Sequence, residues 1–290
     1  MNNKKIFFWS ISVALSGFLF GFDTVVISGA NLPIRELWNT SPLFHGVFIM
    51  SMALWGTVIG ALLGSYPCDK LGRKNTLLII GLLFLISAVG SAFAWDPYSF
   101  SFFRFIGGLG VGASSVASPT YISEISSKEN RGRLVALYQF NIVLGILIAY
   151  FSNYLLQGFG GIMDWRYMLG VEAIPSIFFI LSIIKIPESP RWLILFAKKE
   201  NKAEEILNIM YSGKGIKQKI EEIKLGFQQN NQSLFSKNFS KQLKLAFLIS
   251  FFNQLSGINF VLYYAPQILE SAGFGTSDSL MSSISIGFIN

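Results

Sequence analysis

The feature that most limits this chain is a succession of apolar blocks, each long enough to cross a bilayer, separated by short charged loops. A membrane helix needs about 20 largely apolar residues. Complete blocks occupy roughly 6–30, 46–66, 76–95, 100–122, 134–156 and 167–186, and a further one occupies 243–269. An eighth begins near residue 279 and runs to Asn290, short of what about 30 Å of hydrocarbon requires. Charged residues make up only 13% of the chain and apolar residues 52%. A soluble domain carries about 25% charged residues. The pattern therefore predicts a polytopic all-α membrane protein. The first block is read as a retained helix rather than a cleaved signal peptide, because its apolar run is too long and contains Asp23.

The placement of cations gives an orientation. Of 23 Lys and Arg, all but Arg35, Arg104 and Arg166 fall in segments that are cytoplasmic if the N-terminus is inside. That is the positive-inside pattern. It predicts a multi-pass protein of the plasma or inner membrane with a cytoplasmic N-terminus. It also accounts for the net charge of +7 through loops that face anionic lipid, so no nucleic-acid partner is needed. Trp9, Trp95, Trp165 and Trp192 lie near block ends, as in an aromatic belt.

Three regions follow from composition. Residues 1–186 read as a six-helix bundle, 187–242 as a cytoplasmic helical linker rich in Lys, Glu, Gln and Asn, and 243–290 as helix 7 and part of helix 8 of a second bundle. Ser189-Pro190 is a helix start, with Ser as cap and Pro at the first turn. One amphipathic linker helix is expected from there to about Gly213, and a second over 217–227. Gly56, Gly60 and Gly64, and Gly108 and Gly112, recur every four residues, a spacing that lets membrane helices pack closely.

Asp23, Arg104 and Glu172 lie inside blocks, where each costs about 2.5–3.5 kcal/mol on the insertion scale. Such residues pair with one another or face an aqueous cavity. A carboxylate whose Arg partner is withdrawn in one conformation can take up a proton. The cluster therefore reads either as a proton-coupling site or as a structural ion pair. Gln139, Asn253, Gln254, Asn259 and Tyr263 supply uncharged donors and acceptors in or near the blocks. They suit a neutral polyhydroxylated ligand, or hydrogen-bond one helix to another. Cys68, the single cysteine, excludes an intramolecular disulfide, and with the single His45 it leaves no metal constellation. No nucleophile–base arrangement or P-loop is present, so no enzyme activity, cofactor or metal is expected.

Seven motifs in order carry a resemblance. They are Gly21-Phe22-Asp23-Thr24 with Ile27-Ser28-Gly29, Asp69-Lys70-Leu71-Gly72-Arg73-Lys74, and Arg104 with Gly108, Gly110 and Gly112. Next come Pro119-Thr120-Tyr121-Ile122-Ser123-Glu124 with Arg131-Gly132-Arg133, and Pro187-Glu188-Ser189-Pro190-Arg191-Trp192-Leu193. Gln254-Leu255-Ser256-Gly257-Ile258-Asn259 and Tyr263-Tyr264-Ala265-Pro266 complete the set. With these the chain resembles the sugar porter family of the major facilitator superfamily, especially its bacterial proton-coupled xylose and glucose symporters. The resemblance implies a major facilitator fold and secondary active transport of a monosaccharide, with a proton and the lipid bilayer as further partners. It assigns proton coupling to Asp23, Arg104 and Glu172. The same resemblance assigns sugar contact to Gln139, Asn253, Gln254, Asn259, Tyr263 and Asn290. A cytoplasmic gating network is implied for Asp69, Arg73, Glu124, Arg131, Glu188 and Arg191, none of them a substrate ligand. Facilitative glucose carriers typically have Asn where this chain has Asp23, which favours symport. Departures from the pattern are Asn253 in place of a first Gln, Ser65 in place of Gly, and Pro67-Cys68. The family has twelve spans, and the alternatives are a sugar uniporter or a truncated, sensor-like or non-transporting product.

Overall fold

The computed structural model describes residues 3–127, 129–211, 213, 215–229 and 239–290. Lys128 and the 230–238 part of the expected linker lie outside the described residues, as do 212 and 214. The described residues form helices and turns throughout, and seven helical segments are long and apolar enough to cross a membrane.

The first span is α1 (Asn3–Leu37). The second begins with α2 (Pro42–Phe44), passes through a π-helical segment (His45–Met50), and continues as α3 (Met52–Leu63) and the short α4 (Ser65–Leu71). Then follow α5 (Arg73–Phe93), α6 (Pro97–Ile125) and α7 (Arg131–Leu156). The sixth span is divided into α8 (Asp164–Gly170) and α9 (Ala173–Ile184). Three amphipathic helices come next: α10 (Pro190–Leu195), α11 (Glu200–Tyr211) and α12 (Ile216–Gln229). The chain ends in α13 (Ser240–Leu255), α14 (Ile258–Ser271) and α15 (Thr276–Ile289).

Local chemistry sets several of these ends. Asp96 starts α6 by accepting hydrogen bonds from the amides of Tyr98 (2.8 Å) and Ser99 (3.1 Å), with Pro97 in the first turn. Ser189 caps α10 by accepting from the Trp192 amide at 3.3 Å.

The structure corrects the expected continuity of four helices. Block 46–66 ends as a helix at Leu63, and block 167–186 breaks at Val171–Glu172. Proline explains both. It has no N–H to give the carbonyl four residues back, and its ring crowds that carbonyl. Pro67 acts on Leu63 in this way, and Pro175 acts on Val171, whose carbonyl accepts instead from Ile174 at 3.1 Å. Block 243–269 breaks between α13 and α14, where Gly257 adopts a left-handed φ of +75° that glycine accepts without strain. The expected single linker helix is two helices, because Lys198 turns left-handed (φ +52°) and the Lys199 amide returns to the Leu193 carbonyl at 2.9 Å.

Helix α1 packs on α7, α3 on α6, and α5 on α6 and α9. The α3–α6 seam is close because Gly56 and Gly60 lie against the carbonyls of Phe105 and Leu109. Two buried clusters result. One holds Trp9, Phe84, Tyr121, Tyr138 and Phe179 and extends into the linker helices through Leu193 and Leu207. The other, toward the opposite end, holds Phe22, Phe100, Tyr150, Trp165 and Leu262.

Candidate functional site

Asp23 on α1 and Arg104 on α6 meet in the interior, each 1% exposed. Arg104 Nη1 donates to Asp23 Oδ1 at 2.5 Å, and Nη2 donates to the Asp23 backbone carbonyl at 2.9 Å. Glu172, also 1% exposed, sits at the break between α8 and α9 and shares the electrostatic field of both. One cation thus faces two carboxylates. Isolated charges are costly in such surroundings, and a pair loses most of that cost only when fully hydrogen-bonded. Arg104 Nε and Glu172 Oε1 have no partner among the described residues. Arg104 and Glu172 are thus each left with one unused polar atom in an otherwise bonded cluster.

Tyr263 of α14 is buried within the electrostatic reach of Arg104 and Asp23. Pro266 leaves the Leu262 carbonyl without its helical donor, and the Tyr150 hydroxyl of α7 supplies one at 2.8 Å. That bond ties α14 to the first six spans. Across the Gly257 turn, Asn259 Nδ2 donates to Gln254 Oε1 at 2.8 Å. The structure thus joins Gln254, which is exposed, to Asn259, and Tyr263 lies one turn further along α14. Gln139, Asn253 and Asn290 are exposed, and among the described residues no side-chain hydrogen bond joins them to that group.

A second polar cluster lies at the Arg73 end. The guanidinium of Arg73 donates through Nε (3.0 Å) and Nη2 (2.9 Å) to the two carboxylate oxygens of Glu124. Its Nη1 reaches the Cys68 carbonyl (3.0 Å) and Asp69 (3.2 Å). Glu188 accepts the backbone amides of Arg73 and Lys74 at the start of α5, as well as that of Ser189. A carboxylate suits a helix N-terminus, where free amides and the helix dipole favour negative charge. Burial nonetheless holds the Glu188 carboxyl above its ordinary range, against those amide bonds. Ser189 Oγ donates to Glu124 at 2.6 Å, and Trp192 Nε1 to the Asp69 carbonyl at 2.8 Å. Asp69, Arg73, Glu124 and Glu188 are therefore joined. Arg131 and Arg191 are exposed, form no ion pair among the described residues, and line a neighbouring cavity of about 720 Å³.

Two features escaped the sequence reading. Ser87 of α5 borders the carboxylate cluster: a Cβ at Gly107 would run into Ser87 Oγ and lie 3.3 Å from Asp23 Oδ1. Serine in an apolar block carries no spacing signal that marks it. At the opposite end, His45 bridges Thr40 (2.9 Å) and Asn31 (2.7 Å), and Asn31 donates to Gln267 of α14 at 2.7 Å. A histidine and an asparagine fourteen residues apart are joined only by the fold.

Residues 9–290 match the family model described as "Sugar (and other) transporter". The chain belongs to this family. It is 36% identical over 289 residues to the arabinose-proton symporter of Bacillus subtilis, covering 97% of this chain and 62% of that protein. It is 34% identical to the D-xylose-proton symporter of Escherichia coli K12, covering 100% of this chain and 65% of that one. Among solved structures, the partially occluded inward-open xylose transporter XylE from E. coli superposes with a TM-score of 0.87 at 34% identity. That match covers 98% of this chain and 70% of XylE. The fold is that of the major facilitator superfamily, and the protein is a multi-pass membrane protein. The chain spans about three-fifths of the length of the first curated relatives it matches.

Proposed function

We propose that this chain contributes the proton-coupling site and part of the sugar site of a proton-coupled monosaccharide symporter working by alternating access. The observation that carries this reading is the buried Asp23–Arg104 pair with Glu172 beside it. Protonation of the carboxylate releases Arg104 from its counter-ion, so proton binding and helix arrangement become linked. Tyr263 lies within the electrostatic reach of the pair and belongs to the same helix as Asn259, which links sugar contact to it. In this reading Gln139, Asn253, Gln254, Asn259, Tyr263 and Asn290 contact the sugar near the bilayer midplane. Asp69, Arg73, Glu124, Arg131, Glu188 and Arg191 close the cytoplasmic side, and the N-terminus is cytoplasmic. Residues 1–186 form the first bundle, 187–242 the linker and 243–290 the start of the second. The names of the curated relatives, arabinose- and D-xylose-proton symporters, support a pentose or hexose as the sugar.

The test is Asp23→Asn in cells producing the protein. Sugar accumulation against a gradient is lost while sugar exchange across the membrane persists. Undiminished accumulation refutes proton coupling through Asp23. A native protein indifferent to a protonophore points instead to a uniporter.

A further inference from the structure

Serine in an apolar helix normally donates to the carbonyl four residues back. Ser101 and Ser176 do so here. Ser87 and Ser91 of α5 do not: both are buried, 0% and 1% exposed, and neither hydroxyl has a partner among the described residues. They lie one turn apart on one face of α5. Ser87 Oγ flanks Gly107 together with Asp23 Oδ1. Near Ser91, α8 lies along α5: Arg166 Nη1 donates to the Ala92 carbonyl at 2.6 Å, and a Cβ at Gly170 would stand 3.2 Å from Ala92 Cβ. Trp165 Nε1, on that same α8, is also buried without a partner. Trp165 lies on α8, and Glu172 lies just past the end of α8, where the helix breaks before α9. Unpartnered buried polar atoms thus occur on both helices of the α5–α8 contact, Ser87 and Ser91 on α5 and Trp165 on α8, and again in the carboxylate cluster at Glu172 Oε1 and Arg104 Nε. Leaving each of them dry costs more than an ordinary hydrogen bond is worth, and buried polar groups of this kind hold internal water.

We propose that the α5–α8 seam is a water-lined proton entry leading from the outer end of these helices to Asp23 and Glu172, separate from the path of the sugar. The inference rests on the proton-coupled reading and on a cytoplasmic N-terminus. A proton arrives as hydronium. Its O–H bond breaks as an O–H bond forms on a carboxylate oxygen, leaving water and a neutral carboxyl group. Serine hydroxyls along the way each accept one proton and donate one, and the Trp165 N–H orients the outermost water. Of the candidate sugar amides, Asn253 and Gln254 lie on α13, Asn259 on α14 and Gln139 on α7, none of them on α5 or α8.

The test uses single cysteines in a Cys68→Ser background. Ser87→Cys and Ser91→Cys are exposed to external silver ion, a small thiol-reactive cation. Ala88→Cys, on the same helix and 2% exposed, is the dry control. Both seam cysteines are expected to react at least about tenfold faster than the control, position 91 before 87. Equal rates at all three positions overturn the proposal. The isosteric-minus-hydroxyl pair Ser87→Ala/Ser91→Ala should slow sugar-driven proton uptake more than sugar exchange, and equal slowing counts against a proton route. Persistence of accumulation in Asp23→Asn would defeat the proton-coupled reading while leaving the silver result intact, so the two failures are separable.

Discussion

Removing the Glu124 carboxylate tests the cluster at the Arg73 end most sharply. Glu124 and Arg73 side chains are 6% and 7% exposed, so water screens their attraction little. In Glu124→Ala, Arg73 Nε and Nη2 and the Ser189 hydroxyl all lose their acceptor. Breaking a buried pair by deleting one partner costs about 3–5 kcal/mol. At the lower figure, with about 1.4 kcal/mol per tenfold, local opening of α10 becomes more frequent by on the order of 100-fold. Hydrogen exchange of the 187–197 segment, read by mass spectrometry, reports that opening directly. Asp69 supplies the contrast: it is 53% exposed, and its pair with Arg73 is worth about 0–1 kcal/mol, so Asp69→Asn should change exchange by no more than a few-fold. Exchange in Glu124→Ala within about threefold of the native rate would refute the view that Glu124, held by Arg73 and bonded to Ser189, fastens α10 to the bundle.

Other consequences are equally specific. Gly60→Val places a branched side chain against the Leu109 carbonyl and should cost about 1–3 kcal/mol or more by overpacking, seen as a lowered unfolding temperature in detergent. An unchanged temperature would mean that the α3–α6 seam is looser than its geometry. Burial pushes the Cys68 thiol up to about 11 from 9.0. Two pH units lower its thiolate fraction about 100-fold at neutral pH, so iodoacetamide should label it slowly until the protein unfolds. The folded thiol holds its proton more tightly than the unfolded one. Its stabilising contribution is complete below pH 9 and is lost as pH rises through about 11, and brisk native labelling would contradict this.

Hydropathy was enough to find the spans because each block repeats one demand, that of hydrocarbon. It was blind to the breaks, since a window averages over them. The signals were present as Pro67, Pro175 and Gly257, each acting on a particular carbonyl or φ. The break at Val171–Glu172 matters most, because it places Glu172 at a helix start beside Asp23 and Arg104. Asp23, Arg104 and Glu172 were legible because charge in an apolar block is conspicuous. Ser87 and Ser91 were not, because serine is unremarkable there and only an unused hydroxyl distinguishes it. The Arg73 cluster was partly legible. Glu124 and Glu188 hydrogen-bond Arg73, whereas Arg131 and Arg191 remain apart from it. Charge alone does not reveal which cation is buried.

In the proposed function sugar and proton move together, and Asp23 carries the proton. The most direct measurement is the pH of a weakly buffered suspension of energy-depleted cells producing the protein, recorded as pentose or hexose is added. Alkalinisation of the medium on sugar addition is expected, abolished by protonophore and absent in Asp23→Asn. Sugar entry with no pH change, or the same change in Asp23→Asn, would contradict it.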